Sequence, residues 1–226
     1  MHWRRIRRPP QRIDGSGNDD GGAAPDDTRG IFFDMHSYSD LVLWSWGDTA
    51  ALAPNGTQLR TLGRRMAWFN QYDPQPAVEL YPTDGTTDDS MYGLLGVPAY
   101  TFELDDAFFQ SCGSFEGDTL PKNINALRYS ARALHAPYLL PKGPDTVVVD
   151  ANGADLVEIG TAVDISAQID SSRFRQGNPA EPVYPIASVN AYLDQLPWEA
   201  SASAMAMTAA DGAFDRLLRR DGLVEL

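Results

Sequence analysis

Cysteine and histidine are scarce in this chain, and it has no long apolar run. Cys112 is the one cysteine, so no intrachain disulfide can form and cysteine usage says nothing about an oxidising compartment. No stretch approaches the roughly 18 apolar residues that a membrane span needs, so the sequence predicts no membrane span. The chain starts with a basic segment at 1–5, which ends in two arginines, but no apolar stretch follows it. The sequence as given is therefore predicted to carry no signal peptide.

Basic residues are also in the minority. The 226 residues include 18 Lys and Arg against 31 Asp and Glu, a formal net charge of -13. Nucleic acid binding needs a net basic surface that releases phosphate counterions, so the charge argues against nucleic acid and favours a peptide or small-molecule partner. Several arginines nevertheless crowd both chain ends. We interpret residues 1–27 as disordered or foreign to the ancestral sequence, with a solvated basic tail as the commoner alternative.

The first half of the chain alternates apolar strands with amphipathic helices. Hydrophobic residues make up 43% of the sequence, enough for a packed core. Strands are predicted at 31–35, 41–46 and 97–104, and helices beginning near Asn55 and Leu120. The predicted buried faces of the two helices are Leu59, Leu62, Met66 and Phe69, and Ile124, Leu127, Ala131 and Leu134. This alternation indicates an α/β domain.

The pattern changes after residues 136–145, which hold three prolines and a glycine and predict a domain boundary. Beyond them, alternating apolar residues such as those at 163–169 are typical of short strands. We predict an immunoglobulin-like β-sandwich that is incomplete, because about 80 residues remain where such a sandwich needs about 100. The predicted organisation is an N-terminal segment at 1–27, an α/β domain at 28–140 and a β-sandwich at 141–226.

Two ionisable side chains stand near the ends of predicted strands. His36 follows the apolar strand at 31–35, and the carboxyl ends of strands are where α/β sheets place their sites, although a lone histidine is often structural. Glu103 alternates with Tyr100 and Phe102, so it shares a strand face with Thr101 and opposes the aromatic pair. It is either a surface carboxylate or a general base in a partly apolar pocket.

Three sequence features resemble the zinc metallocarboxypeptidase family typified by carboxypeptidase A. They are the segment His-Ser-Tyr-Ser at 36–39, the segment Thr-Phe-Glu-Leu at 101–104, and Tyr81, which precedes Glu103 by 22 residues. The resemblance covers roughly residues 28–140 and implies the C-terminal half of that family's mixed-sheet catalytic domain. It also implies hydrolysis of the last peptide bond of a peptide or protein, and a secreted or periplasmic location.

The resemblance gives roles to the residues of the first two segments. His36 would be the third zinc ligand, and Ser37 and Tyr38 would line the peptide groove. Glu103 would take a proton from zinc-bound water and pass it to the leaving amine.

The resemblance extends to the segment before the last strand. Tyr81 would lie on a mobile loop and bind the terminal carboxylate of the substrate. Asp88 would form the floor of the specificity pocket, which favours basic C-terminal residues because a buried carboxylate needs a cationic partner. The neighbouring Asp89 leaves this register open by one residue. We interpret Asp34, together with two aspartates at 105–106, as solvated or supporting rather than catalytic.

The sequence departs from the family at the metal. The family takes two further zinc ligands from a His-x-x-Glu motif, but no histidine of this chain is followed three residues later by glutamate. The family's Asn-Arg pair and its oxyanion arginine are also missing. We therefore expect an incomplete zinc site and a chain that is inactive alone. The alternative is a non-catalytic peptide-binding or surface-binding remnant, and a third possibility is a half domain that is unstable by itself.

Overall fold

The computed structural model describes residues 22–151, 158, 160, 162–210, 212–214, 218–219 and 222–225. These residues fall into two compact units. The first contains the described residues up to Lys142 together with Phe174–Glu181, and the second contains Gly143–Arg173 and the described residues from Pro182 onward. The segment Phe174–Glu181 therefore packs with the first unit, although it lies within the predicted second domain.

A four-stranded mixed sheet organises the first unit. Its strands are β1 (Phe32–His36), β2 (Leu41–Trp44), β3 (Asp73–Pro76) and β4 (Ala99–Glu103), in the order β1-β4-β2-β3. β1 is parallel to β4 and β2 to β3, whereas β2 and β4 are antiparallel. β2 is fully buried, but β1 ends the sheet among the described residues and is exposed at its last two positions. The prediction of a mixed α/β domain is confirmed, and the predicted burial of the first strand holds only in part.

The helices of this unit are α1 (Gly56–Asn70), α2 (Thr87–Leu95), α3 (Cys112–Ser114) and α4 (Leu120–Ala133). α1 lies against β2, β3 and α4. Leu59, Leu62 and Met66 are fully buried on its predicted face. At Gly63 the helix comes so near the sheet that a Cβ would lie 2.8 Å from Trp44. Glycine is therefore what allows this close contact.

The buried face of α4 is only in part the predicted one, since Ile124 and Leu127 are half-buried. Ala131 and Leu134 are exposed. The buried residues are instead Asn123, Ala126, Tyr129, Ser130 and Ala133. Most of these side chains are small, which lets α4 approach α1, and Asn123 is satisfied in the interface by accepting a hydrogen bond from Asn70 Nδ2. Hydrophobicity alone predicts the buried face of α4 only in part, because most of the fully buried side chains are small or polar.

α2 was not predicted from the sequence; the family resemblance predicted only a mobile loop at Tyr81, just before it. The helix begins after Thr86, whose hydroxyl accepts a hydrogen bond from Asp89 N, and it ends at Gly96 in the left-handed conformation. Both are ordinary helix-terminating residues. Asp88 consequently lies in the first turn of a helix.

The predicted N-terminal segment 1–27 lies mostly outside the described residues. Within its described part, Ala24 is buried, donates its backbone N–H to Asn55 Oδ1 over 2.6 Å and accepts from Asn55 Nδ2 over 3.1 Å. The described residues before 28 are therefore already attached to the first unit, because these hydrogen bonds fix Ala24 at the start of α1.

The second unit contains a five-stranded antiparallel sheet and a two-stranded one. The larger sheet contains β5 (Asp145–Asp150), β6 (Asp164–Asp170), β9 (Thr208–Ala209), β10 (Leu218–Arg219) and β11 (Gly222–Glu225), and the smaller one pairs β7 (Asn190–Ala191) with β8 (Met205–Ala206). The alternation in β6 buries Ala167 and Ile169, as predicted. The immunoglobulin-like topology stays a prediction.

No helix among the described residues is long and apolar enough to cross a membrane.

Candidate active site

His36 and Glu103 meet at one edge of the sheet. They are the last residues of the parallel strands β1 and β4, and they are paired in register. The pairing continues for one more residue, since Leu104 N donates to His36 O over 2.9 Å. Because the carboxyl ends of parallel strands lie at the same sheet edge, two strand ends that are far apart in sequence form one surface.

A cavity of about 310 Å³ opens on this surface. Four of the six site residues predicted from the sequence line it, namely His36, Tyr81, Asp88 and Glu103. The remaining lining comes mainly from the sheet and from the segment that enters α2, with Asp34, Leu43, Leu80, Thr83, Thr87 and Thr101 among it. The cavity thus combines titratable groups with apolar walls, which is typical of small-molecule sites.

Glu103 is half-buried in the wall of this cavity. It shares a strand face with Thr101, while Tyr100 and Phe102 point into the hydrophobic core and are fully buried. The predicted alternation is therefore correct. Burial raises the pKa of the Glu103 carboxyl; the charge of Asp34 adds to this and His36 opposes it. A carboxyl whose proton affinity is increased by desolvation is suited to accepting a proton.

The raised pKa of Glu103 also makes a stability prediction. The folded protein holds the Glu103 proton more tightly than the unfolded chain does. As the pH rises from the pKa of Glu103 in the unfolded chain through its pKa in the folded protein, this group therefore lowers the stability of the fold. We expect Glu103→Gln to have a higher free energy of unfolding than the wild type at pH 7, with the difference disappearing towards pH 4. Urea unfolding across this pH range measures it, and a difference that is the same at both ends would contradict the assignment.

His36 contacts a carboxylate of its own strand. Its side chain is 53% exposed, and its Nε2 lies 3.3 Å from Asp34 Oδ2. The same oxygen accepts a hydrogen bond from the Thr87 hydroxyl. This bond is the main cause of the lowered pKa of Asp34, to which His36 also contributes. The contact between Asp34 and Thr87 was not predicted, although strand alternation places Asp34 on the same face as His36.

Asp88 is almost completely buried, with 1% of its surface exposed. Its Oδ1 accepts a hydrogen bond from Asp89 N over 3.0 Å, whereas its Oδ2 has no hydrogen-bond partner among the described residues. Asp89 is directed elsewhere: its Oδ2 accepts from Gly47 N over 2.8 Å, and it lines a different cavity together with Trp46. Of the two aspartates that the sequence left open, Asp88 is the one in the His36–Glu103 cavity.

Of the three remaining predicted residues, Tyr81 lies at the edge of this cavity and the two residues after His36 lie outside it. Tyr81 is 62% exposed at the rim of the cavity, between the 3₁₀ turn Ala77–Glu79 and α2. Ser37 and Tyr38 do not line this cavity. Ser37 lines a second cavity of about 530 Å³, which it shares with His36, and the Tyr38 ring lies edge-on to Phe108 at 4.9 Å. His36 thus stands between two cavities.

The described residues do not complete a zinc site. A catalytic zinc takes three protein ligands and an open position. Among the residues that the structure describes, no group of three or more His, Cys, Asp and Glu side chains is arranged to hold a metal ion. Within the described residues, His36 is therefore a candidate zinc ligand without the further ligands that the ion needs.

Comparison with known proteins gives the class of this domain. Residues 26–115 match the family of zinc carboxypeptidases, and all six predicted site residues fall within this range. The first unit therefore contains a zinc carboxypeptidase family domain.

Individual relatives cover only part of either chain. A zinc carboxypeptidase from Saccharothrix mutabilis subsp. capreolus is 43% identical over an alignment of 77 residues, and the match covers 31% of this chain and 18% of that protein. The chain thus matches less than a fifth of the length of this relative. A crystal structure of carboxypeptidase A from Helicoverpa armigera aligns with 47% of this chain and 30% of its own, at 20% identity and a TM-score of 0.38.

Proposed function

We propose that the first unit is the substrate-binding side of a carboxypeptidase site that acts on the C-terminal residue of peptides or proteins and favours basic residues. One observation carries the proposal: Asp88, whose buried Oδ2 has no hydrogen-bond partner among the described residues, lines the same cavity as the register pair His36 and Glu103. The family match of residues 26–115 supports the reaction class.

Glu103 is the proposed proton carrier. In peptide hydrolysis a water molecule loses a proton as its oxygen bonds to the carbonyl carbon, and the departing nitrogen gains one as the C–N bond breaks. A single carboxylate at this position can accept the first proton and deliver it to the leaving amine. The raised pKa of Glu103 supports this role, because it brings the proton affinity of the group nearer to neutral pH.

Asp88 and Tyr81 are the proposed recognition groups for the last residue of the substrate. A lysine or arginine side chain that enters the cavity can pair with Asp88 Oδ2, which is buried and has no hydrogen-bond partner within the part of the chain that the structure describes. The exposed Tyr81 hydroxyl can donate to the terminal carboxylate. Ser37 and Tyr38, beside the second cavity, are proposed to contact residues upstream of the cleaved bond.

Zinc belongs to the proposal only through the family. The family is zinc-dependent, and His36 is proposed as one ligand, but the described residues supply no complete ligand set. We therefore propose that this chain by itself binds zinc weakly and hydrolyses peptides slowly or not at all.

Peptide binding tests the proposed specificity. We expect calorimetry to show about tenfold or tighter binding of a short peptide ending in lysine than of its leucine counterpart, because a hydrogen bond between charged groups contributes about 1.5–3 kcal/mol. Asp88→Asn should abolish this preference. The matched control is Asp89→Asn, which changes the neighbouring carboxylate in the other cavity and should keep it.

Two results would contradict the proposal. One is equal binding of the lysine and leucine peptides by the wild type. The other is equally tight binding of the lysine peptide and its C-terminal amide, since the amide removes the carboxylate that a carboxypeptidase site must recognise.

The second candidate is a non-catalytic peptide-binding remnant of such an enzyme. The lack of a metal-binding group among the described residues favours it. Zinc stoichiometry separates the two: one tightly bound ion for each chain supports the enzyme, and none supports the remnant.

A further inference from the structure

Three side chains from two separate segments form a chain of contacts at the cavity wall. Asp34 and His36 are two residues apart on β1 and therefore point to the same face. His36 Nε2 lies 3.3 Å from Asp34 Oδ2, and Thr87, at the start of α2, donates its hydroxyl hydrogen to that oxygen. The contacts connect the strand that carries His36 to the helix that carries Asp88.

We propose that Asp34 and Thr87 are positioning residues that hold the imidazole of His36 in one orientation and one tautomer. A neutral imidazole has one N–H and one lone pair, and the hydrogen bond made by one nitrogen decides the state of the other. With Nε2–H donated to Asp34, Nδ1 carries the lone pair that is available to a ligand or substrate. This inference rests on the proposed function, in which His36 is an active-site group.

The exposure of His36 is the reason that such an anchor matters. Its side chain is 53% exposed, so packing alone does not fix the ring. Asp34, with 26% of its side chain exposed, is better enclosed. It is held in turn by Thr87, because an oxygen that accepts a hydroxyl hydrogen loses freedom to rotate. A carboxylate that orients a histidine is a common arrangement around functional imidazoles.

Thr87 gives the arrangement a second consequence. It is the residue before Asp88, which lines the same cavity. Its hydrogen bond to Asp34 therefore ties the wall that bears the proposed specificity carboxylate to the group that orients His36. The loss of one hydroxyl, 53 residues from Asp34 in the sequence, is predicted to loosen the imidazole.

Nitrogen NMR of the histidine side chains tests the proposal on the whole chain. The chain has only three histidines, His2, His36 and His135, so their signals can be assigned by substitution. At a pH of about 8.5 an ordinary imidazole is neutral. We expect His36 in the wild type to show a single Nε2–H tautomer. In Asp34→Ala its ring nitrogens should give averaged signals, and its Nε2 proton should exchange with water about tenfold faster, which is the worth of one hydrogen bond.

Thr87 supplies a matched pair of variants that change the side chain little. Thr87→Val keeps the shape of the side chain and removes the hydroxyl, so it should move the His36 signals part of the way towards those of Asp34→Ala. Thr87→Ser restores the hydroxyl and should restore the wild-type signals. His135, which is outside the cavity, is the internal control and should not change.

Unchanged His36 signals in both Asp34→Ala and Thr87→Val would overturn the proposal. So would averaged His36 signals in the wild type. The readout uses neither peptide nor metal, so it is distinguishable from a failure of the proposed function, which would appear as loss of the lysine preference in the binding assay.

Discussion

Replacing Glu181 with glutamine is expected to lower the free energy of unfolding of the first unit by about 3–5 kcal/mol, the usual cost of breaking a buried ion pair from one side. Glu181 is 4% exposed. Its Oε1 lies 2.9 Å from Arg64 Nη1 and 2.7 Å from Arg60 Nε. Its Oε2 accepts from the Thr61 hydroxyl over 2.7 Å.

The cost arises mainly on the arginine side. Arg64 is 5% exposed, and burial lowers its pKa, which means that the protein already holds this guanidinium in an unfavourable environment. The carboxylate of Glu181 is the group that opposes this effect. Glutamine keeps the size and an accepting oxygen but removes the charge, so the guanidinium stays buried without a counter-ion.

A second ion pair holds the same segment and provides the control. Arg175 Nη2 lies 3.1 Å from Asp73 Oδ1, with both side chains substantially exposed. Asp73→Asn makes the same carboxylate-to-amide change, and we expect it to cost less than about 1 kcal/mol, because exposed pairs are screened by water. Urea unfolding followed by tryptophan fluorescence measures both variants. Equal costs would mean that burial does not decide the strength of these pairs.

This buried pair could not be predicted from the sequence. Glu181 is one acidic residue among 31, and it lies in a segment whose composition favours loops and short strands. Its partners on α1 are 117 and 121 residues away. Charge pairing at such separations depends on how the chain returns to the first unit, and no local pattern encodes that.

The candidate site was easier to predict from the sequence than this ion pair, because it is built on the ends of regular strands. His36 and Glu103 end two strands of alternating or continuous apolar character, and the sheet pairs them in register. The alternation also gave the correct face for Glu103. Strand alternation alone could not predict the proposed role of Asp34. Its contact with Thr87 depends on α2, a helix that the sequence analysis did not predict.

Asn55 shows how a correct local prediction can miss the function of a side chain. The sequence predicts that a helix begins near Asn55, and this residue directly precedes α1, yet its side chain makes no capping hydrogen bond. Its side chain instead bonds the backbone of Ala24 on one side and the hydroxyl of Tyr92 on the other. The residue type was informative, but its partners come from two other segments.

Asn55→Leu is expected to lower the free energy of unfolding by about 3–4 kcal/mol, because it leaves several buried polar groups unpaired at about 1–3 kcal/mol each. Asn55 is fully buried. Without its amide, the backbone N–H and C=O of Ala24 lose their partner, and the Tyr92 hydroxyl loses its acceptor at 3.0 Å. Leucine has nearly the same size, so the loss measures the hydrogen bonds rather than a cavity.

Tyr92→Phe is the matched smaller change. It removes one hydroxyl from this cluster, leaves Asn55 N without its acceptor at 2.8 Å, and keeps the ring that lies 5.2 Å from Trp46. We expect it to cost about 1–2 kcal/mol, the effect of one unpaired donor. Urea unfolding compares the two variants. A cost for Asn55→Leu no larger than that for Tyr92→Phe would show that the contact with Ala24 contributes nothing.

Asn55→Leu is also expected to affect the candidate site, because Asn55 contacts α2 through Tyr92. Tyr92 lies one helical turn after Asp88 on α2, so the hydrogen bonds of Asn55 help to fix the helix that carries this proposed specificity carboxylate. We therefore expect Asn55→Leu to reduce the preference for the lysine peptide under conditions in which the variant is still folded, although Asn55 does not line the cavity. A full preference in the folded variant would mean that α2 is held in place by its packing alone.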